Sequence, residues 1–168
     1  MDTSVTSSRA LIASAGLIAA IVVSATAVAC GSDDTVVTPK DPTFVTTMTG
    51  AGENPANATT GTGTATIVKT NGVYSYTITY SGMSGALTGG HIHGPAATGT
   101  NAAVIVPFAN ATGAGPSGTL TGTFTGTNSL TISPDSLDKL MTSGNAYVNL
   151  HTDLNKGGEI RGQLSRQP

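Results

Sequence analysis

Three histidines form the first feature of the sequence that could support chemistry. His91 and His93 are separated by one residue, so on a β-strand both imidazoles project to the same face, about 6.5 Å apart. The third, His151, lies much later in the chain. Two histidines at this spacing with a distant third are a donor set that suits zinc or copper. The pattern predicts a mononuclear metal site, in which Glu159 or Asp153 would complete the ligands.

The same part of the sequence contains further polar side chains on otherwise apolar segments. Strand alternation places Tyr147, Asn149 and His151 on one face of one segment, and Glu159 and Arg161 on one face of the next. An arginine–carboxylate pair can be bidentate, and buried polar groups must be hydrogen-bonded. A structural network of Tyr147, Asn149, Glu159 and Arg161 would satisfy these groups without a metal. The residues leave both interpretations open.

The segments that position these residues are short strands between turn residues, which is typical of a sandwich or barrel. Strands are predicted at residues 44–49, 62–69, 73–80, 87–93, 104–108, 118–127, 146–152 and 158–164. Asn71-Gly72 predicts a tight hairpin between the second and third, because this pair readily adopts positive φ. The predicted fold class is all-β, a Greek-key-like antiparallel β-sandwich or barrel of about eight strands.

One short helix is predicted near residues 133–142. Ser133 is a good N-cap, Pro134 fits the first helical position, and Gly144 fits a left-handed C-cap. Three apolar residues share one face of this helix: Leu137, Leu140 and Met141. The helix is therefore expected to pack over the sheet or to close one end of it, with Asp138 on the exposed face.

Residues 1–29 have the pattern of a lipoprotein-type signal peptide. Arg9 supplies a positive charge, residues 11–28 are almost entirely apolar or small, and small residues precede Cys30. This ending resembles the bacterial lipobox, in which the cysteine is lipidated and becomes the first residue of the mature protein. Residues 30–42 would then be a flexible tether. An uncleaved membrane anchor is the competing interpretation, because the apolar stretch is slightly long.

Cys30 is the only cysteine in the chain, which excludes an intramolecular disulfide. Lipidation would explain a lone cysteine in an exported protein, and a free thiol is the alternative. Two or more acyl chains, palmitate among them, would hold the protein stably on a membrane surface. We therefore predict an exported protein anchored through Cys30 to the cell membrane or the outer membrane. The glycine at position 31 favours outer-membrane sorting.

The composition excludes several classes of function. The formal net charge is −2 and charged residues make up 10% of the chain, so the basic surface expected of a nucleic-acid-binding protein is missing. The sequence contains no phosphate-binding loop or dinucleotide fingerprint. Its many serines and threonines lie in alternating strand patterns and not at a nucleophile elbow. The chain is therefore predicted not to be an enzyme and not to bind nucleic acid.

Three stretches together resemble the CHRD domain, the module named after chordin. They are Gly50-Ala51-Gly52-Glu53-Asn54-Pro55, then His91-Ile92-His93-Gly94-Pro95, and then Tyr147-Val148-Asn149-Leu150-His151-Thr152 with Gly158-Glu159-Ile160-Arg161-Gly162-Gln163-Leu164. Their order and spacing fit a domain over residues 43–166. The resemblance implies a β-fold and a binding module, and it implies no enzymatic activity.

Two functions from different classes follow. The first is a non-enzymatic, surface-tethered lipoprotein that acts in the cell envelope as a binding, adhesion or structural module, with an envelope protein or polysaccharide as ligand and no cofactor. The polar tether and the weakly charged, threonine- and glycine-rich surface favour it. The alternative is a mononuclear copper- or zinc-type metal-binding or redox protein that uses His91, His93 and His151.

Overall fold

The described part of the chain, residues 41–125 and 132–168 of the computed structural model, consists mainly of β-strands, many of them rich in threonine. The strands are β1 (Thr43–Thr49), β2 (Thr62–Thr70), β3 (Val73–Ser81), β4 (Leu87–His93), β5 (Val104–Pro107), β6 (Gly118–Thr125), β7 (Tyr147–Thr152), β8 (Ile160–Gln163) and β9 (Ser165–Arg166). A 3-10 turn, Gly50–Gly52, follows β1, and the helix α1 spans Pro134–Ser143. The predicted signal peptide, Cys30 and most of the tether lie outside the described residues, as does the end of the predicted sixth strand.

The described strands form one antiparallel sheet in the order β5-β4-β7-β8-β1-β2-β3-β6, with β9 beside β1. The pairings of β4 with β7 and of β3 with β6 join strands that are not consecutive in the chain, which makes the connections Greek-key-like. The sheet curls into a nearly closed eight-stranded barrel or sandwich with one helix. The predicted fold class is confirmed.

The hairpin of β2 and β3 follows directly from the local sequence. Asn71 has a φ of 51° and Gly72 a φ of 82°, as a two-residue turn of this type requires. The turn sets a register in which every second residue of β3 is buried, namely Tyr74, Tyr76, Ile78 and Tyr80. These side chains form one wall of the hydrophobic core. A shift by one residue would turn all four towards solvent.

The helix begins and ends where its caps predict. The Ser133 hydroxyl accepts a hydrogen bond from the Ser136 amide, and Gly144 has a φ of 70°. Leu137 and Met141 are fully buried in the core, and Leu140 is partly buried. Asp138 was expected on the exposed face, but it accepts hydrogen bonds from two residues that are cross-strand partners in the β2–β3 hairpin, Lys69 and Tyr74. Within residues 41–125 and 132–168, no helix has the length and apolar character needed to cross a membrane.

The sheet order brings the polar motifs of the sequence together. Strand β7 lies between β4 and β8, so the histidine strand and the two C-terminal strands are immediate neighbours. Their register places His91 opposite Asn149, and His93 opposite Tyr147. On the other side of β7, Asn149 is opposite Arg161. These pairings define the polar region of the molecule in which a functional site would lie.

Candidate metal centre

The three histidines meet on one face of the β4–β7 pair. His91 and His93 project from β4, and His151 projects from β7 opposite Gly89. The His91 ring lies 5.0 Å from the His151 ring and 5.5 Å from the His93 ring, measured between centroids. One potential ligand atom from each residue lies within 4.8 Å of the other two. The structure therefore brings together the three histidines that the sequence singles out.

Backbone carbonyls determine which ring nitrogen carries the proton in two of these histidines. His93 Nδ1 lies 2.9 Å from the Ala102 carbonyl oxygen, and His151 Nδ1 lies 3.0 Å from that of Lys156. A carbonyl oxygen only accepts hydrogen bonds, so each Nδ1 carries the proton and donates. In a neutral imidazole the other nitrogen, Nε2, is then left with a free lone pair. Both rings are held with this lone pair available to a ligand.

Each of the three histidines has one ring nitrogen that is buried without a hydrogen-bond partner. His91 Nδ1, His93 Nε2 and His151 Nε2 have no hydrogen bond within the described part of the chain and almost no exposure to solvent. Buried polar atoms are usually hydrogen-bonded, because desolvation without a compensating bond costs about 1–3 kcal/mol. A metal ion held by the three nitrogens would satisfy all of them at once. This is the feature of the site that most favours a metal.

Burial also keeps the three imidazoles neutral. Burial, together with the charges of the neighbouring His151 and His93, lowers the pKa of His91 to about 4. Burial likewise lowers the pKa of His93 and of His151, although their hydrogen bonds to backbone carbonyls act in the opposite direction. Metal binding requires the unprotonated form of histidine. All three ligands are in that form at neutral pH.

Glycines beside the histidines make room for this arrangement. A Cβ at Gly89 would lie 3.0 Å from His91 Cε1, so a side chain there would press on the imidazole. A Cβ at Gly90 would lie 2.7 Å from the side chain of Leu150 on the core side of the sheet. The Gly89-Gly90 pair therefore allows the ring to lie along its strand while β4 packs closely against β7.

An aromatic and a cationic side chain support His93. The Tyr147 ring stacks on the His93 imidazole, with centroids 4.9 Å apart and planes 1° apart. The Arg161 guanidinium carbon lies 3.4 Å from the centroid of the Tyr147 ring, which is a close cation–π contact. Arg161 also donates to the Thr100 carbonyl oxygen at 2.7 Å and to Asn101 Oδ1 at 3.0 Å. These contacts fix the orientation of His93 and place a positive charge beside the site.

Glu159 lies outside this cluster, and the predicted Glu159–Arg161 pair does not form. Its fully buried carboxylate accepts hydrogen bonds from the Ser84 amide and from the hydroxyls of three residues, Thr59, Ser84 and Thr152. Burial raises its pKa, but these hydrogen bonds outweigh burial and lower the pKa to about 2. The alternation that predicted the pair fails because Glu159 lies in a bend and regular strand begins only at Ile160.

Three residues of the predicted network lie together: Tyr147, Asn149 and Arg161. The carboxylate that joins them is that of Glu53 and not that of Glu159. Asn149 Nδ2 donates to Glu53 and, at 3.0 Å, to the Ile160 carbonyl oxygen. Burial raises the pKa of Glu53 to about 7, although Asn149 and the charge of Arg161 lower it.

Glu53 lies within the Gly50–Pro55 motif of the sequence, from which no role was predicted for its side chain. The only signal was that motif itself, because Glu53 and Asn149 are 96 positions apart. Asp153, the other carboxylate considered as a ligand, is exposed and is not part of the histidine cluster.

Comparison with protein-family models matches residues 44–164 to the CHRD domain. The matched segment extends from β1 to the end of β8 and contains every residue of the candidate site. No curated protein and no solved structure matches the chain. Because the match covers more than half of the 168 residues, the chain belongs to the CHRD domain family. The resemblance noted in the sequence is confirmed.

Proposed function

We propose that this CHRD-domain protein is a non-enzymatic metal-binding module that holds one copper or zinc ion on His91, His93 and His151. One observation carries the proposal: three histidines converge with one potential ligand atom from each within 4.8 Å of the others, and each has a buried ring nitrogen without a hydrogen-bond partner. Membership of the CHRD family is consistent with a non-catalytic module.

The hydrogen bonds made by the histidine rings fit a metal site better than they fit a purely structural network. Histidines that bind metals usually donate their other ring N–H to a carboxylate, a carbonyl or water. His93 and His151 both donate to backbone carbonyls. A hydrogen-bonded network explains Glu159, Asn149 and Arg161, whose polar atoms have partners, but it leaves the three histidine nitrogens without any.

The donor set defines the chemistry that a bound ion would have. Imidazole nitrogens suit copper and zinc, whereas calcium and magnesium prefer oxygen ligands. Three protein ligands would leave a further coordination position for water or for an external ligand. The side chains of the described chain hold the imidazoles neutral and oriented, and they exclude water from the donor atoms.

We expect chelator-treated wild-type protein to take up about one equivalent of Cu or Zn, and His91→Ala, His93→Ala and His151→Ala each to lose most of this uptake. Removing one of three ligands is expected to lower affinity more than the loss of a residue that only hydrogen-bonds to a ligand, which alone costs about 10–100-fold. Elemental analysis after desalting, together with titration of the purified protein, measures the uptake.

Asp153→Asn is the matched control, since it removes an exposed carboxylate close in sequence to His151. It is expected to keep full metal uptake. Sub-stoichiometric metal in the wild type, or uptake that His91→Ala leaves unchanged, would contradict the metal site. The binding or adhesion function that the sequence favours would then be the better explanation of the domain.

The proposal also places the domain at a membrane surface through lipidation of Cys30. Support comes from the signal-peptide pattern of residues 1–29 and the lipobox-like residues before the cysteine. The polar segment that follows is long enough to separate the metal-binding domain from the lipid. Copper or zinc would then be bound in the cell envelope.

Cys30→Ser is expected to move the protein from the detergent phase to the aqueous phase in a detergent partition, because it removes the acyl chains that anchor it. Mass measurement of both forms reports lipidation and cleavage. A wild type that partitions into the aqueous phase would disprove lipid anchoring. A Cys30→Ser variant that stays in the detergent phase with residues 1–29 attached would indicate an uncleaved anchor instead.

A further inference from the structure

The three histidine donors have no negative charge among them. The cluster of ligand atoms found in residues 41–125 and 132–168 consists of histidines alone. Glu159 accepts hydrogen bonds from Thr59, Ser84 and Thr152 at a separate place. The ring N–H groups of His93 and His151 donate to neutral carbonyls and not to carboxylates. None of the ligands would therefore offset the positive charge of a bound ion.

Arg161 adds a positive charge to the same region. Its guanidinium lies against Tyr147, which in turn stacks on His93. Both hydrogen-bond acceptors of the guanidinium, the Thr100 carbonyl and the Asn101 side chain, are neutral. The carboxyl group that the charge of Arg161 influences is Glu53, and burial raises its pKa to about 7. The positive charge of Arg161 is therefore only partly compensated at neutral pH.

We infer that this site holds Cu(I) in preference to Cu(II), which deepens the proposed function and rests on it. The donor nitrogens are shielded from water, and the cost of burying an ion rises with the square of its charge. A divalent ion therefore loses about four times the hydration energy of a monovalent ion of the same size. Repulsion from Arg161 is also twice as large for the divalent ion.

The number of ligands favours the same oxidation state. Cu(II) prefers square-planar or tetragonal sites of nitrogen and oxygen, so it would need water or an external ligand in addition to the three imidazoles. The described residues supply three donors in one cluster, all of them neutral imidazoles. Cu(I) has no such requirement for a tetragonal arrangement, so three nitrogens suffice for it.

The test measures two dissociation constants on the full-length, chelator-treated protein. Cu(I) affinity is measured anaerobically by competition with a chromogenic Cu(I) chelator, and Cu(II) affinity by competition with glycine. We expect the wild type to bind Cu(I) more tightly than Cu(II). Arg161→Met is expected to reduce this preference about tenfold, as Coulomb's law gives for a unit charge roughly 10 Å away at an effective dielectric constant of about 20.

Three further variants make the test specific. Arg161→Lys keeps the charge and is expected to retain most of the preference. Arg166→Met removes an exposed arginine of β9 and is expected to leave the preference unchanged. Arg161→Gln replaces Arg161→Met if the latter does not fold, because glutamine keeps a hydrogen-bond donor while removing the charge.

The outcomes separate this inference from the proposed function. No stoichiometric uptake of any of the metals, or uptake insensitive to His91→Ala, overturns the metal site itself. Stoichiometric Cu(II) or Zn(II) binding that depends on His91, with Cu(I) bound no more tightly than Cu(II), overturns the inference alone. An unchanged preference in folded Arg161→Met or Arg161→Gln overturns the role of Arg161.

Discussion

Glu159→Gln is expected to lower the free energy of unfolding by about 3 kcal/mol. The Glu159 carboxylate is fully buried and accepts hydrogen bonds from Thr59, Ser84 and Thr152. Glutamine removes the charge and replaces one acceptor oxygen with an NH₂ group that faces donors. Hydrogen bonds to a charged group contribute about 1.5–3 kcal/mol each, and one of the donors, the Thr152 hydroxyl, is fully buried. Urea or guanidinium melts at pH 7 measure the loss.

Asp153→Asn is the control for this loss, because it makes the same type of change at an exposed position. Its effect is expected within about 0.5 kcal/mol. Asp138 would be a poor control, since Lys69 and Tyr74 both donate to it. If Glu159→Gln and Asp153→Asn caused equally small losses, the buried carboxylate would not stabilise the fold.

The pH dependence provides an independent check on Glu159. Its pKa in the folded protein is lowered to about 2 from an ordinary value of 4.5. The unfolded chain therefore takes up this proton first as the pH falls. The stabilisation is complete above pH 4.5 and is lost between pH 4.5 and about pH 2. The Glu159→Gln variant should lack this part of the acid transition.

The strands and caps were predictable because local patterns determine them. The side chains of β3 alternate between core and solvent because a strand has a period of two residues. Asn71-Gly72 strongly favours the tight turn with positive φ at both residues that the structure shows. Ser133 and Gly144 define the helix ends through hydrogen bonding and positive φ. None of these features depends on distant parts of the chain, so the sequence is sufficient to place them.

The site was predictable only where it obeys strand alternation. His91 and His93 share a face because they lie two residues apart within one regular strand, and His151 joins them because β7 pairs with β4. Glu159 does not obey the rule, because the backbone turns at Gly158 just before β8 begins. Its side chain therefore does not share the face of Arg161, because strand alternation holds only from Ile160 onward.

Long-range contacts explain what sequence reasoning missed. Glu53 follows a 3-10 turn that has no alternation, and it reaches Asn149 only because β8 lies between β1 and β7 in the sheet. The carbonyls that orient His93 and His151 belong to loop residues Ala102 and Lys156. Loop backbone carries no sequence signal for such a role, so these partners became visible only in the folded structure.

The metal-free protein is expected to lose about 2–4 kcal/mol of stability as the pH falls from 6.5 to 4. The folded-state pKa of His91 is about 4, and those of His93 and His151 are also lowered, so the unfolded chain binds these protons first. Each pKa unit corresponds to about 1.4 kcal/mol, and three neighbouring imidazoles titrate as a coupled group. Chemical denaturation of chelator-treated protein across this pH range measures the loss.

Glu53 acts in the opposite direction within the same range, so the experiment is cleaner in a Glu53→Gln background. The folded-state pKa of Glu53 is raised to about 7, and its contribution to stability therefore grows as the pH falls from 7 towards 4.5. With the Glu53 carboxyl group removed, the remaining slope between pH 6.5 and 4.5 is assigned to the histidines, because Glu159 contributes only below pH 4.5. His91→Gln should then remove the largest part of that slope. A slope that His91→Gln leaves unchanged would mean that the three imidazoles are not held neutral by the fold, and their nitrogens would not form a preorganised set of donors.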